Sequence, residues 1–304
     1  MMLVAACLFL GACSEEELDE KSIFDNPQVE LKAFDIWLLE NYTYPYNIEF
    51  KYKLEDIETS KEYNLAPARV RESLALAKLV KHLWVDSYNE VAGIAFTRTY
   101  VPRIIQLVGS AGWNNNGTRV LGTAEGGLKI TLFEVNELDP TNLADLNYFY
   151  FKTMHHEFAH ILHQTKNYDP YFQRISEADY ISGDWYMFAR REDDPVAAAN
   201  RLGFVTRYSM SEPNDDFVEI IAVYVTSTPA EWANLLANAE TPFIPDRDSE
   251  LDPDPNPKGR RIIEEKFEIV RNYLKDSWGI DIDQLRDVVQ RRTTEIDLLD
   301  LYNI

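Results

Sequence analysis

The chain has 304 residues, of which 45% are apolar and 12% aromatic, and 51 Asp and Glu against 30 Lys and Arg leave a net charge of −21. Fifteen Phe, seventeen Tyr and six Trp exclude disorder for the bulk of the chain. The absence of any apolar run near 18 residues excludes a polytopic membrane protein, and the negative surplus argues against a nucleic-acid partner.

The first feature in chain order is the apolar run Leu3 to Ala12, too short to span a bilayer and of the length of a secretory leader. It closes in Leu10-Gly11-Ala12-Cys13, which resembles the bacterial lipobox, although Met1-Met2-Leu3 lacks the usual basic opening. That resemblance implies a signal peptide over 1–12, lipidation of Cys13 and an outer-membrane lipoprotein. With Cys7 inside the leader, no disulfide framework remains. The acidic stretch Ser14 to Glu20 reads as part of a tether over 13–25, and it resembles the export tag of lipoproteins exposed on the cell surface. A single folded domain is expected over 26–304.

Within that domain, Asn26-Pro27 predicts a capped helix running to about Glu40, and the alternation from Ile48 to Leu54 predicts a strand. A second helix is expected from Pro67, with Leu76, Leu79, Val80 and Leu83 on its buried face. Short strands are expected at Ile104–Val108, Arg119–Gly122 and Leu128–Val135, the first two separated by a turn-rich loop from Gly109 to Gly117. A long helix over Leu146–Gln164 follows, then helices near Asp194–Arg201, Pro213–Thr226, Pro229–Ala239, Arg260–Trp278 and Asp283–Arg292. The Pro- and Asp-rich segment Thr241–Gly259 reads as a surface loop; its acids lack the glycine and closing Glu of a calcium loop. Strands early and helices late argue for an α+β fold.

Four of the five His fall between His155 and His163, and the segment His156-Glu157-Phe158-Ala159-His160 is an HExxH motif on the long predicted helix. At about 100° per residue, His160 lies about 40° from His156, with His163 about 20° away on the other side. Met154, Phe158, Ile161 and Leu162 point the opposite way. Two imidazoles one turn apart can reach the same Zn²⁺ at about 2.0–2.1 Å. Glu157 projects beside them as the group to take a proton from water activated by the ion. His155, on the helix flank, and His163 are expected to support the site from behind, and His82 to be structural. A third ligand must come from elsewhere: Lys166 stands where a metzincin would carry its third His. Asp215 and Glu219, four apart on a later helix, are the candidates, one for the ion and one to hold a ligand His.

These residues resemble the gluzincin-type zincins, in which an acid-x-x-x-acid helix follows HExxH. The resemblance implies a zincin-like fold, with a small mixed sheet packed on the HExxH helix and a largely helical C-terminal half. It puts the ligand on Asp215, with Glu219 as the alternative, and the supporting acid on Glu219. Tyr208, seven residues before Asp215, matches a Tyr of the lethal-factor-like branch that contributes to the site, here as an oxyanion donor. The departure is Asp for Glu at 215, which requires the two helices to sit closer.

Together with the lipobox, the chain resembles the zinc metallohydrolase lipoproteins associated with substrate import. The implied activity is zinc-dependent hydrolysis of peptide bonds, with extended substrate along a strand edge beside the catalytic helix, for which the segment Gly122-Thr123-Ala124-Glu125-Gly126-Gly127 leading into Leu128 to Phe133 is the candidate. The implied partners are a protein or peptide substrate, and a TonB-dependent transporter with its substrate-binding lipoprotein. Alternatives are a non-catalytic binding lipoprotein of such an import complex, with Trp113 as a contact, and hydrolysis of a non-peptide amide. The intact Glu157 favours catalysis.

Overall fold

The computed structural model describes residues 32–55, 64–114, 117–120, 122–125, 128–190, 194–241 and 258–304. The leader, the tether, the Asn26-Pro27 cap and most of the 241–259 loop therefore lie outside the described residues.

The chain enters through α1 (Ala33–Leu38), a π-helical stretch (Leu39–Thr43) and α2 (Tyr44–Tyr46), so the first helical run passes the expected end at Glu40. It stops at Asn47, whose left-handed φ of 56° turns the backbone into β1 (Glu49–Lys51). The expected seven-residue strand is reduced to three because β1, at one edge of the sheet, pairs only over Glu49–Lys51 with β2 (Ile104–Leu107). The second helix, α3 (Val70–Val80), starts three residues later than Pro67. Ala66 O accepts from Gly109 N, and Arg69 N donates to Asn136 Oδ1 at 2.7 Å, which holds the segment before it extended. A π-helical turn (Lys81–Val85) leads into α4 (Asp86–Ala92) and α5 (Ile94–Tyr100), neither of which the apolar pattern marks. Gly93, at φ 84°, separates them.

The main sheet has the order β1-β2-β6-β5, where β5 is Gly122–Glu125 and β6 is Lys129–Leu132. The β1–β2 and β2–β6 pairings are parallel and β5–β6 is antiparallel, with Ile105 opposite Ile130 and Thr123 opposite Thr131. All four residues of β6 are buried, as a strand covered on both faces requires. The expected strand 119–122 divides: β4 (Arg119–Val120) pairs with β3 (Gly112–Trp113) in a separate hairpin, and Gly122 begins β5.

Helix follows from there on: α6 (Leu143–Leu146), a π-helical stretch (Asn147–Phe151) and α7 (Lys152–Thr165) form one rod. Then come α8 (Tyr171–Ile175), a 3₁₀ turn (Ser182–Met187), α9 (Pro195–Arg201), α10 (Pro213–Thr226), α11 (Pro229–Ala239), α12 (Gly259–Trp278) and α13 (Ile282–Thr293). The architecture is α+β, a small mixed sheet with a helical C-terminal half.

Three packings position the site. Helix α7 rests its apolar side on Trp84, Tyr88 and Phe96, which meet the ring of Phe158 edge-on at 5.3, 4.8 and 6.0 Å. On its other side α7 packs along α10. Strand β5 also closes on α7: a Cβ added to Gly122 would sit 2.3 Å from Cγ2 of Thr153, so only glycine lets the sheet edge lie that near the helix.

Candidate metal centre and active site

Helix α10 is mostly apolar yet buries three acids: Asp215, Asp216 and Glu219. An ionised carboxylate is costly to bury without partners, so each should meet a donor, a cation or a metal. Asp216 meets Lys266 of α12 at 2.6 Å, with the Tyr180 hydroxyl donating at 2.9 Å and Lys266 also donating to Gly203 O at 2.9 Å. The pair fastens the start of α10 to α12. Asp215 and Glu219, one turn apart, face α7 instead.

There, Nε2 of His156 and Nε2 of His160 stand 3.2 Å apart, and Oδ1 of Asp215 is 3.8 Å from the first and 3.4 Å from the second. The three residues each bring a ligand atom within 4.8 Å of the others and could hold a metal ion. Zinc bound tetrahedrally at about 2.0–2.1 Å needs ligand atoms about 3.3 Å apart. Two imidazoles and one carboxylate at these separations fit that ion and leave a fourth position open.

Each of the three is held from behind. Glu219 Oε1 accepts from Nδ1 of His156 at 2.9 Å, while its Oε2 accepts from Lys152 Nζ at 3.1 Å and Thr206 Oγ1 at 2.6 Å. Burial would raise the Glu219 carboxyl, but Lys152, His156 and Thr206 outweigh it and hold the group well below the usual carboxylate range. Burial likewise disfavours charge on His156, and Glu219 overcomes this, moving its pKa up. Asp215 Oδ2 accepts from Ser211 Oγ at 2.5 Å, which leaves Oδ1 to face the two imidazoles. Against burial, the contacts of His160 and Ser211 keep Asp215 below its ordinary value. His160 Nδ1 lies 2.9 Å from Nε2 of His163.

Glu157 is half-buried beside this cluster, and its carboxyl is pushed up, first by burial and then by Asp215 and Glu219, against the pull of His156 and His160. The Tyr208 ring lies 5.6 Å from that of His156 and carries the edge of Trp185 at 5.1 Å. Burial, then the charges of Asp215, Glu219 and Glu157, hold its hydroxyl protonated far above neutrality.

The structure thus brings His156, Glu157, His160, Tyr208, Asp215 and Glu219 to one place, with Asp215 against the imidazoles and Glu219 behind His156. It removes His155 from the group: that ring is fully buried on the core side, with Nδ1 3.0 Å from the Tyr88 hydroxyl. At 100° per residue its neighbour's direction is not its own. His82 bonds to Arg292 O at 3.0 Å, away from the site. Lys152, Ser211 and Thr206 were not singled out in the sequence. Lys152 carries a readable signal, standing one helical turn before His156 on α7, whereas Ser211 stands ahead of the first residue of α10 and carries none. Thr206, outside any helix, also carries none.

Comparison with known proteins points to the same metal. A family model described as "Putative zinc-binding metallo-peptidase" matches residues 27–283. The chain is similar to a solved structure, a "putative zinc-binding metallo-peptidase from Bacteroides caccae", at 46% identity and a TM-score of 0.73, over 93% of this chain and 100% of that one. None of the curated proteins compared with the chain matches it.

Proposed function

The chain belongs to this family of zinc-binding metallo-peptidases, and from that membership and the site's geometry we propose that it hydrolyses peptide bonds at the His156–His160–Asp215 centre. The observation that carries the reading is the meeting of those three ligand atoms, with Glu157 and Tyr208 close by. When bound, zinc supplies Lewis acidity, making water acidic near neutrality and polarising a carbonyl.

The protein's own groups do the rest. Glu157 takes a proton from the water whose oxygen attacks the scissile carbonyl and returns that proton to the leaving nitrogen. Tyr208, kept protonated, donates to the carbonyl oxygen as negative charge grows there. Glu219 and Lys152 orient His156, and Ser211 orients Asp215. Strand β5 is the sheet edge against α7, and an extended peptide pairing with it would present its backbone along the catalytic helix.

The same reading extends to place. The Leu10-Gly11-Ala12-Cys13 box and the acidic stretch after it support a lipid anchor on Cys13 at the outer membrane, exposed at the cell surface. There the enzyme would trim proteins for a TonB-dependent transporter and its substrate-binding lipoprotein. Replacing Cys13 with Ser should release the protein from the membrane fraction; retention in that fraction would remove the anchor.

The deciding experiment is Glu157→Gln, assayed against an unbiased peptide library with zinc content measured on the same sample. The variant should keep about one zinc per chain and lose about 10²–10⁴-fold in hydrolysis. Wild-type-level turnover by the variant would end the general-base assignment, and no cleavage of any peptide by the zinc-loaded wild type would end the peptidase reading.

A further inference from the structure

His163 is a buried imidazole to which the reaction above gives no role. Its Nε2 lies 2.9 Å from Nδ1 of His160, and the other nitrogen of His160 points to Asp215 Oδ1 and His156 Nε2. A ring nitrogen that offers its lone pair to an ion carries no proton. The proton of a neutral His160 must therefore sit on Nδ1, and Nε2 of His163 must be an acceptor with its own proton on Nδ1.

The acceptor is firmly set. The His163 ring meets Tyr168 edge-on at 5.7 Å and Phe217 at 6.4 Å, and those two rings stack at 4.0 Å. Tyr168 donates its hydroxyl to Asn214 Oδ1 at 2.8 Å. Phe217 and Asn214 belong to α10, the helix of Asp215. The ring that orients one imidazole is thus clamped by the helix that brings the carboxylate.

We propose, resting on the ligand set given above, that His163 is a positioning residue for the zinc centre: it fixes the tautomer and plane of His160 as Glu219 does for His156. The two supports differ in kind. Glu219 is an anion that strengthens the donor it holds, whereas His163 is an uncharged acceptor among aromatic rings and leaves His160 the weaker donor. The consequence is a centre with one strong and one weak imidazole, more electrophilic than one with two carboxylate-backed rings.

The test compares His163→Leu, which removes the acceptor, with His163→Asn, which keeps one. Zinc affinity is measured by competition with a chelating indicator, and geometry by the visible bands of the Co²⁺-substituted protein. Urea midpoints identify any variant that has merely lost folding. His163→Leu should bind zinc about 10–100-fold more weakly and shift the Co²⁺ bands, and His163→Asn should recover most of both. Unchanged affinity and bands in His163→Leu would overturn the proposal. So would equal losses in Leu and Asn variants of equal urea midpoint, since packing alone would then explain them. His160→Ala serves as the reference. If it loses zinc while His163→Leu does not, only the role of His163 falls. If it keeps zinc, the ligand set falls and His163 with it.

Discussion

Glu219 meets His156 at Nδ1, 2.9 Å away, the ring nitrogen turned from the metal cluster, while Asp215 approaches the Nε2 side. The two acids of one helix therefore address opposite edges of the same imidazole. The order of their effects on metal binding follows. Asp215→Ala should cost more zinc affinity than Glu219→Gln, which should weaken binding by about 10–100-fold. Chelator competition on both variants checks this; the reverse order would assign the metal to Glu219.

Tyr208 stands beside His156 with its hydroxyl held protonated. Tyr208→Phe should leave zinc content and KM close to wild type and lower kcat by about 10²–10³-fold, the effect of removing one oxyanion donor. A change confined to KM, with kcat intact, would make Tyr208 a substrate contact instead.

Buried His155 supplies a pH prediction. Burial pushes its pKa from 6.5 down to about 3, so the folded protein excludes a proton that the unfolded chain takes up. The stability carried by the neutral ring is complete above about pH 6.5 and drains as pH falls toward about 3. In zinc-free protein, His155→Gln should flatten the fall in unfolding free energy between pH 6 and 4 by up to about 1.4 kcal/mol per pH unit, the value of one proton. Urea titrations at several pH values measure it, and parallel slopes for the two proteins would refute the assignment.

The seam between β5 and α7 offers a pair of compensating changes. Gly122→Ala places a methyl 2.3 Å from Thr153 Cγ2 and should destabilise by about 1–3 kcal/mol while lowering kcat/KM. Thr153→Ser removes that Cγ2, so the double variant should regain most of the loss. Additive losses in the double variant would mean that the strand and helix do not press on each other there.

The parts of this arrangement that could be read from the chain are those with a period. His156, Glu157 and His160 lie on a helix because a one-turn repeat of His continues in an apolar repeat on the far side, and α7 carries both. Asp215 and Glu219 were readable as a pair for the same reason, and α10 brings both to α7. What had no period was missed. The 94–100 helix follows a Gly at positive φ, with an exposed Ile94 breaking the apolar face. The strand expected at 119–122 is continuous in the sequence pattern, yet its residues serve two sheets. The fate of His155 depended on Tyr88, 67 residues away, which no local pattern reveals.

Between His160 on α7 and Asp215 on α10 lie α8, the Ser182–Met187 turn and α9. An ion bridging those two residues closes that stretch into a ring, much as a covalent crosslink would. Bound zinc would then act as ballast for the fold, beside the chemistry proposed for it. By mass action it adds about 2.7 kcal/mol to stability when its free concentration is 100 times Kd. A protein of this build becomes easier to unfold wherever a competing chelator strips its surroundings, so scarcity of one metal would govern how long it lasts as well as how fast it works.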